Sequence, residues 1–281
     1  MSQNTTRFAP SPTGLLHLGH VYAAMVARDL ARREGGKFLL RFEDIDHTRT
    51  RPEYYSAMEE DLRWLGLGWD GEAMRQSARV EAYDTALAAL KEMQAVYPCF
   101  CTRREIEDEV ARMTNAPHGP EGALYPGICR RLSDTERKER LAAGAQPAWR
   151  LDVAFASGLT GPLSFLDLKH GKLAVDPALL GDVVLARKDI GTSYHLAVVT
   201  DDAFQEVTHV TRGEDLLPST HVHRLLQSLL GFPEPFYLHH GLVTDENGVR
   251  LAKRHDALSI RHLRDRGETA ETILAMLPLS H

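Results

Sequence analysis

The first 42 residues alternate between strand-like and helix-like patterns of apolar and polar positions. Thr5–Ala9 is typical of a short strand, and Pro10–Leu16, broken by proline and glycine, is typical of a loop. His17–Glu34 has apolar residues at helical spacing and is followed by a glycine pair that predicts the end of a helix. Lys37–Phe42 (KFLLRF) predicts a second strand. These elements predict a β-α-β unit whose loops meet at the carboxyl ends of the strands.

Two further helices follow, and then the pattern is interrupted. Apolar residues at helical spacing predict helices over Pro52–Leu65 and Ser77–Val96. Between Tyr97 and about Val184 the chain has many turns and a charged run, with strand-like pieces at Trp149–Val153 and Gly161–Phe165. This stretch has the character of an insertion.

The regular pattern returns in the last third of the chain. Three apolar runs between Val183 and Val210 (VVLAR, LAVVTDD and EVTHVT) are interpreted as strands, and His221–Leu230 as a helix that ends before a glycine. The sequence therefore predicts an α/β nucleotide-binding fold that is split by an insertion.

Composition excludes some classes of protein. The chain has 281 residues, 43% hydrophobic and 26% charged, and no apolar run approaches the roughly 18 residues of a membrane span. Its first nine residues lack the features of a secretory signal, so we expect a cytoplasmic location and no membrane partner. The net charge of −6 does not indicate a nucleic-acid partner. Some basic residues are nevertheless candidates for contacts with RNA phosphates: Arg130, Arg131, Arg261 and Arg264.

Two histidines at the start of the first predicted helix are candidate functional residues. His17 and His20 lie three residues apart, on one face, where a helix N-terminus favours negative charge. The spacing alone is compatible with a helix-capping pair, a metal-binding pair or a phosphate-binding pair. Lys253, in a loop near the other end of the chain, could supply the second half of an ATP site.

The three cysteines fall in the inserted stretch. An odd number of cysteines argues against a disulfide framework, and metal binding or thiol reactivity is the better hypothesis for Cys99, Cys101 and Cys129. Three thiolates lack one ligand of a tetrahedral zinc site, for which His118 is the conventional candidate. The alternative is three unrelated thiols.

Several separated motifs resemble the glutamyl-tRNA synthetase family of class I aminoacyl-tRNA synthetases, over roughly residues 5–260. They are RFAPSPTGLLHLGH at Arg7–His20, RFEDID at Arg41–Asp46, SYHLAVVTDD at Ser193–Asp202 and THVTRGED at Thr208–Asp215. The second class signature is expected at Arg250–Arg254, and the chain ends 27 residues later, so we expect no anticodon-binding domain. One truncated subfamily attaches glutamate to the queuosine base in the anticodon of tRNA(Asp), and the chain resembles that subfamily most closely.

The resemblance implies a glutamate pocket and an ATP site. Arg7 and Arg212 suit the two carboxylates of free glutamate, and Glu43 suits its ammonium group. In the family, the residues at Ala9, Ser11 and Tyr194 complete the pocket, and those at His17, Gly19, His20 and Lys253 bind ATP, which is used with Mg²⁺. The resemblance also implies that Tyr125 is the fourth ligand of one structural zinc ion.

The resemblance further implies a domain division and leaves alternative functions open. A Rossmann-like catalytic domain of the class I synthetases would be split by a zinc-binding insertion and followed by a short helical segment, with the limits 1–96, 97–184, 185–245 and 246–281. The second signature keeps Lys253 but has Arg250, Ala252 and Arg254 where the family has lysine and serines. The alternatives are a minimal glutamyl-tRNA synthetase, an inactive tRNA-binding relative and a small-molecule adenylate-forming enzyme.

Overall fold

The computed structural model describes residues 3–113, 118–120, 122–243 and 259–278. The helices are α1 (Leu18–Arg32), α2 (Pro52–Trp64), α3 (Val80–Glu92), α4 (Arg103–Arg112), α5 (Asp134–Ala142), α6 (Val153–Thr160), α7 (Tyr194–Phe204), α8 (Leu217–Leu230), α9 (Ile260–Asp265) and α10 (Ala270–Ala275). The strands are β1 (Thr5–Phe8), β2 (Lys37–Phe42), β3 (Met74–Arg75), β4 (Val96–Cys99), β5 (His118–Gly119), β6 (Gly122–Ala123), β7 (Ala148–Leu151), β8 (Ser164–Asp167), β9 (Gly171–Ala174), β10 (Val184–Ala186), β11 (His209–Gly213) and β12 (Phe236–His240).

Parallel strands from both ends of the chain meet in the centre of the molecule. One sheet has the order β1-β2-β3, and another has the order β11-β12-β8-β9. The amide of Thr208, just before β11, donates to the carbonyl of Thr5 in β1 at 3.0 Å, which joins the two sheets. The chain leaves β1 toward β2 on one side and leaves β11 toward β12 on the other. Such a reversal opens a crevice at the carboxyl ends of the strands.

The structure confirms the predicted β1-α1-β2 unit, in which α1 packs on the two parallel strands. Small buried residues at Ala24, Ala27 and Ala31 lie on one face of α1 and let it approach the strands closely. The hydroxyl of Thr6 in β1 donates to the carbonyl of Ala27 at 2.7 Å. The apolar core beneath α1 also receives Ile260 of α9, so the short C-terminal helices pack on the first half of the fold.

A second layer is built around the antiparallel sheet β10-β7-β4. Its apolar residues share a core with apolar residues of helices α3, α6, α7 and α8. The β8-β9 hairpin also comes from the inserted stretch. It extends the β11-β12 pair into a four-stranded sheet, since Asp167 of β8 pairs with Tyr237 of β12. The domain limits stay a prediction.

The structure corrects two element predictions. The run LAVVTDD, interpreted as a strand, lies in helix α7, and all its residues from Leu196 to Asp202 are buried. A short apolar run that is buried on every side has no periodicity to distinguish a helix from a strand. The helix predicted over Ser77–Val96 ends at Glu92, and Val96 begins strand β4. None of the helices among the described residues is long and apolar enough to span a membrane.

Candidate active site

The crevice between β1 and β11 opens into a cavity of about 600 Å³. Residues from six segments of the sequence line it. They include nine residues expected to bind glutamate or ATP: Arg7, Ala9, Ser11, His17, Gly19, His20, Glu43, Tyr194 and Arg212. The structure therefore brings together every predicted glutamate-site and ATP-site residue that lies in its described part. A single cavity could hold an amino acid beside a nucleotide.

Arg7 is held by a buried carboxylate. Its Nε donates to Oδ1 of Asp202 at 2.8 Å, and only 5% of Arg7 is exposed. Arg41, which is fully buried, donates from Nη2 to the same oxygen at 2.7 Å. Burial raises the pKa of Asp202, but Arg7 and Arg41 outweigh that effect and hold it below its usual range. The charge of Arg7 is thus partly compensated within the protein.

Arg212 has a different environment. Its guanidinium donates to Nε2 of His239 at 3.2 Å, to the hydroxyl of Tyr194 at 3.2 Å, to Nδ1 of His223 at 3.0 Å and to the hydroxyl of Thr220. Burial, together with the charge of Arg212, lowers the pKa of His239 to about 4 and that of His223 well below its usual value. These partners are therefore neutral near pH 7. No carboxylate among the described residues forms an ion pair with Arg212.

Glu43 lies at the carboxyl end of β2, at the edge of the cavity. Its backbone amide donates to the carbonyl of Pro10 at 3.0 Å, which fixes it beside the loop that follows β1. Burial raises the pKa of Glu43 to about 7, although Arg41 and Arg7 act in the opposite direction. A carboxylate whose pKa is raised by burial gains most from a cationic partner, such as an ammonium group.

His17 and His20 form the N-terminal cap of α1. The Nδ1 atom of His17 accepts from the amide of Gly19 at 3.1 Å, and Nδ1 of His20 accepts from the amide of His17 at 3.3 Å. The two rings are stacked with their centroids 3.7 Å apart. Since Nδ1 accepts in both rings, each neutral ring carries its hydrogen on Nε2. The capping alternative is confirmed, and it leaves both side chains on the wall of the cavity at a helix N-terminus.

A second cavity, of about 340 Å³, adjoins the first. Ser11, Glu43 and Tyr194 line both cavities. Ser193, a residue only 8% exposed, lines the second cavity, and its buried hydroxyl has no hydrogen-bond partner among the described residues. The two cavities form adjoining spaces that share three polar side chains.

Lys253 and the rest of the second signature, Arg250–Arg254, lie outside the described residues. The segments on either side of them lie at the site. Val243 lines the cavity, and Ser259 pairs with His17 in an isolated β-bridge. The amide of Ile260 donates to the carbonyl of Leu16 at 2.8 Å.

The three cysteines form one cluster. The sulfur atoms of Cys99, Cys101 and Cys129 all lie within 4.8 Å of one another, so the group could hold a metal ion. The hydroxyl oxygen of Tyr125 lies 3.4 Å from the sulfur of Cys99 and 3.5 Å from that of Cys101. The side chain of His118, the alternative fourth ligand, lies outside the described part of the chain.

The spacing of this cluster fits a tetrahedral site. A zinc–sulfur distance of about 2.3 Å places the sulfurs of a tetrahedron about 3.8 Å apart, and the sulfurs of Cys101 and Cys129 are 3.4 Å apart. Gly127, with φ of 73°, turns the chain so that Tyr125 and Cys129 face Cys99 and Cys101. The guanidinium of Arg150 lies 3.8 Å from the centre of the Tyr125 ring, where its charge favours anionic ligands.

The basic residues considered for RNA binding are engaged in ion pairs. Arg261 contacts Glu60 at 2.8 Å and Arg264 contacts Asp61 at 2.6 Å. Arg130 contacts Asp182 at 3.1 Å, and Arg131 lies 3.8 Å from Glu109. The structure therefore gives no support to these four residues as a phosphate-binding surface.

Sequence reasoning missed the residues that hold the two arginines of the pocket. Asp202 and Arg41 lie inside quoted motifs, and a charged residue in an apolar run is a sign of a buried ion pair. His223, His239 and Asp167 carry no comparable signal, because they are distant in the sequence and lie behind the cavity wall.

Comparison with known proteins places these observations in a family. The model of the class I tRNA synthetases (E and Q), catalytic domain, matches residues 3–280. A glutamyl-Q tRNA(Asp) synthetase of Rhodobacter capsulatus is 48% identical over 98% of this chain and 99% of that protein. A protein of the same name from Nocardia farcinica is 45% identical over 96% of this chain and 82% of that protein.

A solved structure agrees with the sequence relatives. The glutamate tRNA ligase of Elizabethkingia meningosepticum, in complex with its amino acid, has a TM-score of 0.76 and 30% identity to this chain. The match covers 90% of this chain and 52% of that structure, so the chain corresponds to about half of the larger protein.

Proposed function

The chain belongs to the class I tRNA synthetases of the E and Q family, and we propose that it activates glutamate with ATP and transfers it to the queuosine base of tRNA(Asp). It is an ATP-dependent ligase of the aminoacyl-tRNA synthetase type. The observation that carries the proposal is the single cavity that joins a charge set for glutamate to the N-terminus of α1. The names of these two relatives indicate the acceptor.

In the proposed pocket, Arg212 binds the side-chain carboxylate of glutamate. Its buried cation has neutral partners, so an incoming carboxylate supplies the missing charge. Glu43 accepts hydrogen bonds from the ammonium group, and its raised pKa is lowered again when that cation binds. Arg7, together with Ala9 and Ser11 in the following loop, faces the remaining part of the amino acid.

The proposed ATP site lies at the other end of the cavity. His17 and His20 contact the phosphates through their Nε2–H groups, beside the positive end of the α1 dipole and the amide of Gly19. Lys253 and Mg²⁺ are proposed to neutralise the pyrophosphate. An oxygen of the α-carboxylate attacks the α-phosphorus, the bond to pyrophosphate breaks, and glutamyl-adenylate forms. Catalysis by these groups is mainly positioning and electrostatic stabilisation.

The transfer step needs a hydroxyl of queuosine beside the activated carbonyl. We propose that the second cavity admits the queuosine base, because it adjoins the first cavity at Ser11, Glu43 and Tyr194. The queuosine hydroxyl oxygen attacks the carbonyl carbon and forms an ester, the bond from that carbon to the phosphate oxygen breaks, AMP leaves, and the hydroxyl proton passes to solvent. We further propose a cytoplasmic location, where ATP and tRNA are available.

A structural zinc ion is proposed for the cysteine cluster. Cys99, Cys101 and Cys129 would hold it with Tyr125, and the ion would stabilise the inserted stretch. All four ligand positions would come from the protein, so the ion would have no open position for catalysis.

Amino-acid-dependent ATP–pyrophosphate exchange tests the activation step. With the purified protein and a panel of amino acids, we expect glutamate alone to stimulate exchange. No stimulation by any amino acid would contradict activation and favour an inactive tRNA-binding relative. The same assay with glutamate but without tRNA establishes whether activation needs the acceptor.

A minimal glutamyl-tRNA synthetase is the second candidate. The 30% identity to a glutamate tRNA ligase over most of this chain favours a shared activation step. The acceptor separates the two candidates, since the second predicts glutamate on the 3′ end of tRNA(Glu).

A further inference from the structure

Three buried residues behind the cavity wall surround Arg212 without lining the cavity. His239 and His223 are each 2% exposed or less, and Asp167 is 1% exposed. His239 and His223 contact the guanidinium directly, and Asp167 contacts His239. None of the three is a residue expected to touch substrate.

Asp167 fixes the hydrogen positions of His239. Its Oδ2 lies 2.6 Å from Nδ1 of His239, and its Oδ1 accepts from the amides of Lys169 and His170 at 2.9 and 2.8 Å. Burial raises the pKa of Asp167, but these hydrogen bonds outweigh it and keep the group a carboxylate. The hydrogen of His239 is therefore on Nδ1, and Nε2 is an acceptor facing Nε–H of Arg212.

His223 has its hydrogen fixed from the opposite side. A guanidinium has no acceptor, so Nδ1 of His223, 3.0 Å from Nη1 of Arg212, must accept. Its Nε2 then carries the hydrogen, which it donates to Nδ1 of His195 at 3.0 Å. Burial and Arg212 lower the pKa of His195 to about 4, which leaves it a neutral acceptor.

These contacts determine which donors remain for the cavity. Within the described part of the chain, Arg212 directs one hydrogen to each of His239, His223, Tyr194 and Thr220. One Nη2 hydrogen of the five is left over. The hydroxyl of Tyr194 accepts from Arg212, so its own hydrogen is also available, and its pKa is raised by burial. Arg212 and Tyr194 both line the cavity and there present donors.

We propose that Asp167, His239 and His223 are positioning residues that make this end of the pocket donor-only, so that it selects a carboxylate over a carboxamide. The inference rests on the proposed function and names the feature that separates glutamate from glutamine. A carboxylate accepts from both donors. A carboxamide directs its NH₂ group at one of them, and the fixed histidines cannot turn to accept it.

Paired substitutions at the two histidines test the proposal. His239→Leu and His223→Leu remove the acceptors, while His239→Gln and His223→Asn can place an amide oxygen near the lost nitrogen. Glutamate-dependent exchange is measured for each variant, with glutamine tested as substrate and as competitive inhibitor. His221→Leu is the matched control. His221 is a buried histidine of α8, the helix that also carries His223, and its Nδ1 accepts from the amide of Asp176 and does not contact Arg212.

The proposal predicts a change of specificity beyond any loss of stability. Each leucine variant raises the KM for glutamate about 10-fold to 100-fold, as expected for losing a hydrogen bond to a charged group, with the KM for ATP unchanged. The preference for glutamate over glutamine falls about 10-fold, and the Gln and Asn variants restore most of it. His221→Leu keeps the wild-type preference.

The failures of this inference and of the proposed function are distinguishable. Wild-type protein without glutamate-dependent exchange overturns the proposed function and this inference with it. Active wild-type protein, together with leucine variants that keep the wild-type preference, overturns this inference alone. If one leucine variant does not fold, the leucine and amide variants at the other histidine give the same comparison. Amide variants that fail to restore the preference for glutamate over glutamine also contradict the proposal.

Discussion

The two arginines of the pocket are buried to a similar degree but in opposite ways. Arg7 shares the carboxylate of Asp202 with Arg41, so its charge has a partner before any ligand arrives. Arg212 is surrounded by neutral histidines and hydroxyls. A buried cation without a counter-ion is costly, and the cost is offset when an anionic ligand binds. The difference supports the proposal that Arg212 is the residue whose charge the substrate completes.

The largest expected effect is on stability, from removal of the carboxylate that Arg7 and Arg41 share. Asp202→Asn leaves two buried arginines without their shared anion, and we expect the free energy of unfolding to fall by about 3–5 kcal/mol. Denaturant titration measures this change. Asp189→Asn, which breaks an exposed pair with Arg187, is the control and should cost about 1 kcal/mol or less. Equal losses in both variants would contradict the role given to Asp202.

For Arg212, whose partners are neutral, the expected effect is on the activation of glutamate and not on folding. Arg212→Gln removes the cation that the side-chain carboxylate requires, and we expect kcat/KM for glutamate in exchange to fall about 100-fold to 1000-fold. The protein loses an uncompensated buried charge, which offsets the loss of the hydrogen bonds of Arg212, so its stability should change little. Arg63→Gln, at an exposed pair with Glu59, is the matched control. A large loss of stability with normal glutamate activation would reverse the comparison.

Glu43, the third charged residue of the proposed pocket, should make glutamate activation depend on pH. The free enzyme must ionise Glu43 to bind the ammonium group, and its pKa is raised to about 7. We therefore expect kcat/KM for glutamate to be level above pH 7 and to fall about tenfold per pH unit below it. Glu43→Gln should lower the plateau and remove this acid limb. An acid limb that persists in Glu43→Gln would assign it to another group.

The smallest effect on activation is expected from the cysteine cluster, none of whose residues lines the cavity. Tyr125→Phe removes the hydroxyl near Cys99 and Cys101 and should weaken zinc binding at least about 10-fold. Competition with a chromogenic chelator measures the affinity. Glutamate-dependent exchange in saturating zinc should remain within about twofold of wild type. Unchanged zinc affinity would remove Tyr125 from the ligand set.

The sequence predicted the parts of the molecule that depend on local pattern or on contiguous motifs. The β1-α1-β2 unit follows from the spacing of apolar residues, and the predicted pocket residues come from motifs that the fold brings to one crevice. Helix α7 was mispredicted because its residues from Leu196 to Asp202 are all buried, which leaves no helical periodicity in the apolar positions. The surroundings of Arg212 could not be predicted, since His239 and Asp167 are 72 residues apart and meet only through the pairing of β8 with β12.

The most direct test of the account is transfer of radiolabelled glutamate, with ATP, to three acceptors in parallel: tRNA(Asp) with queuosine, tRNA(Asp) without it, and tRNA(Glu). Nuclease digestion then locates the label within each labelled tRNA. The account predicts label only on tRNA(Asp) that contains queuosine, in the anticodon nucleoside. Label on the 3′ end of tRNA(Glu), or equal label on both forms of tRNA(Asp), would contradict it.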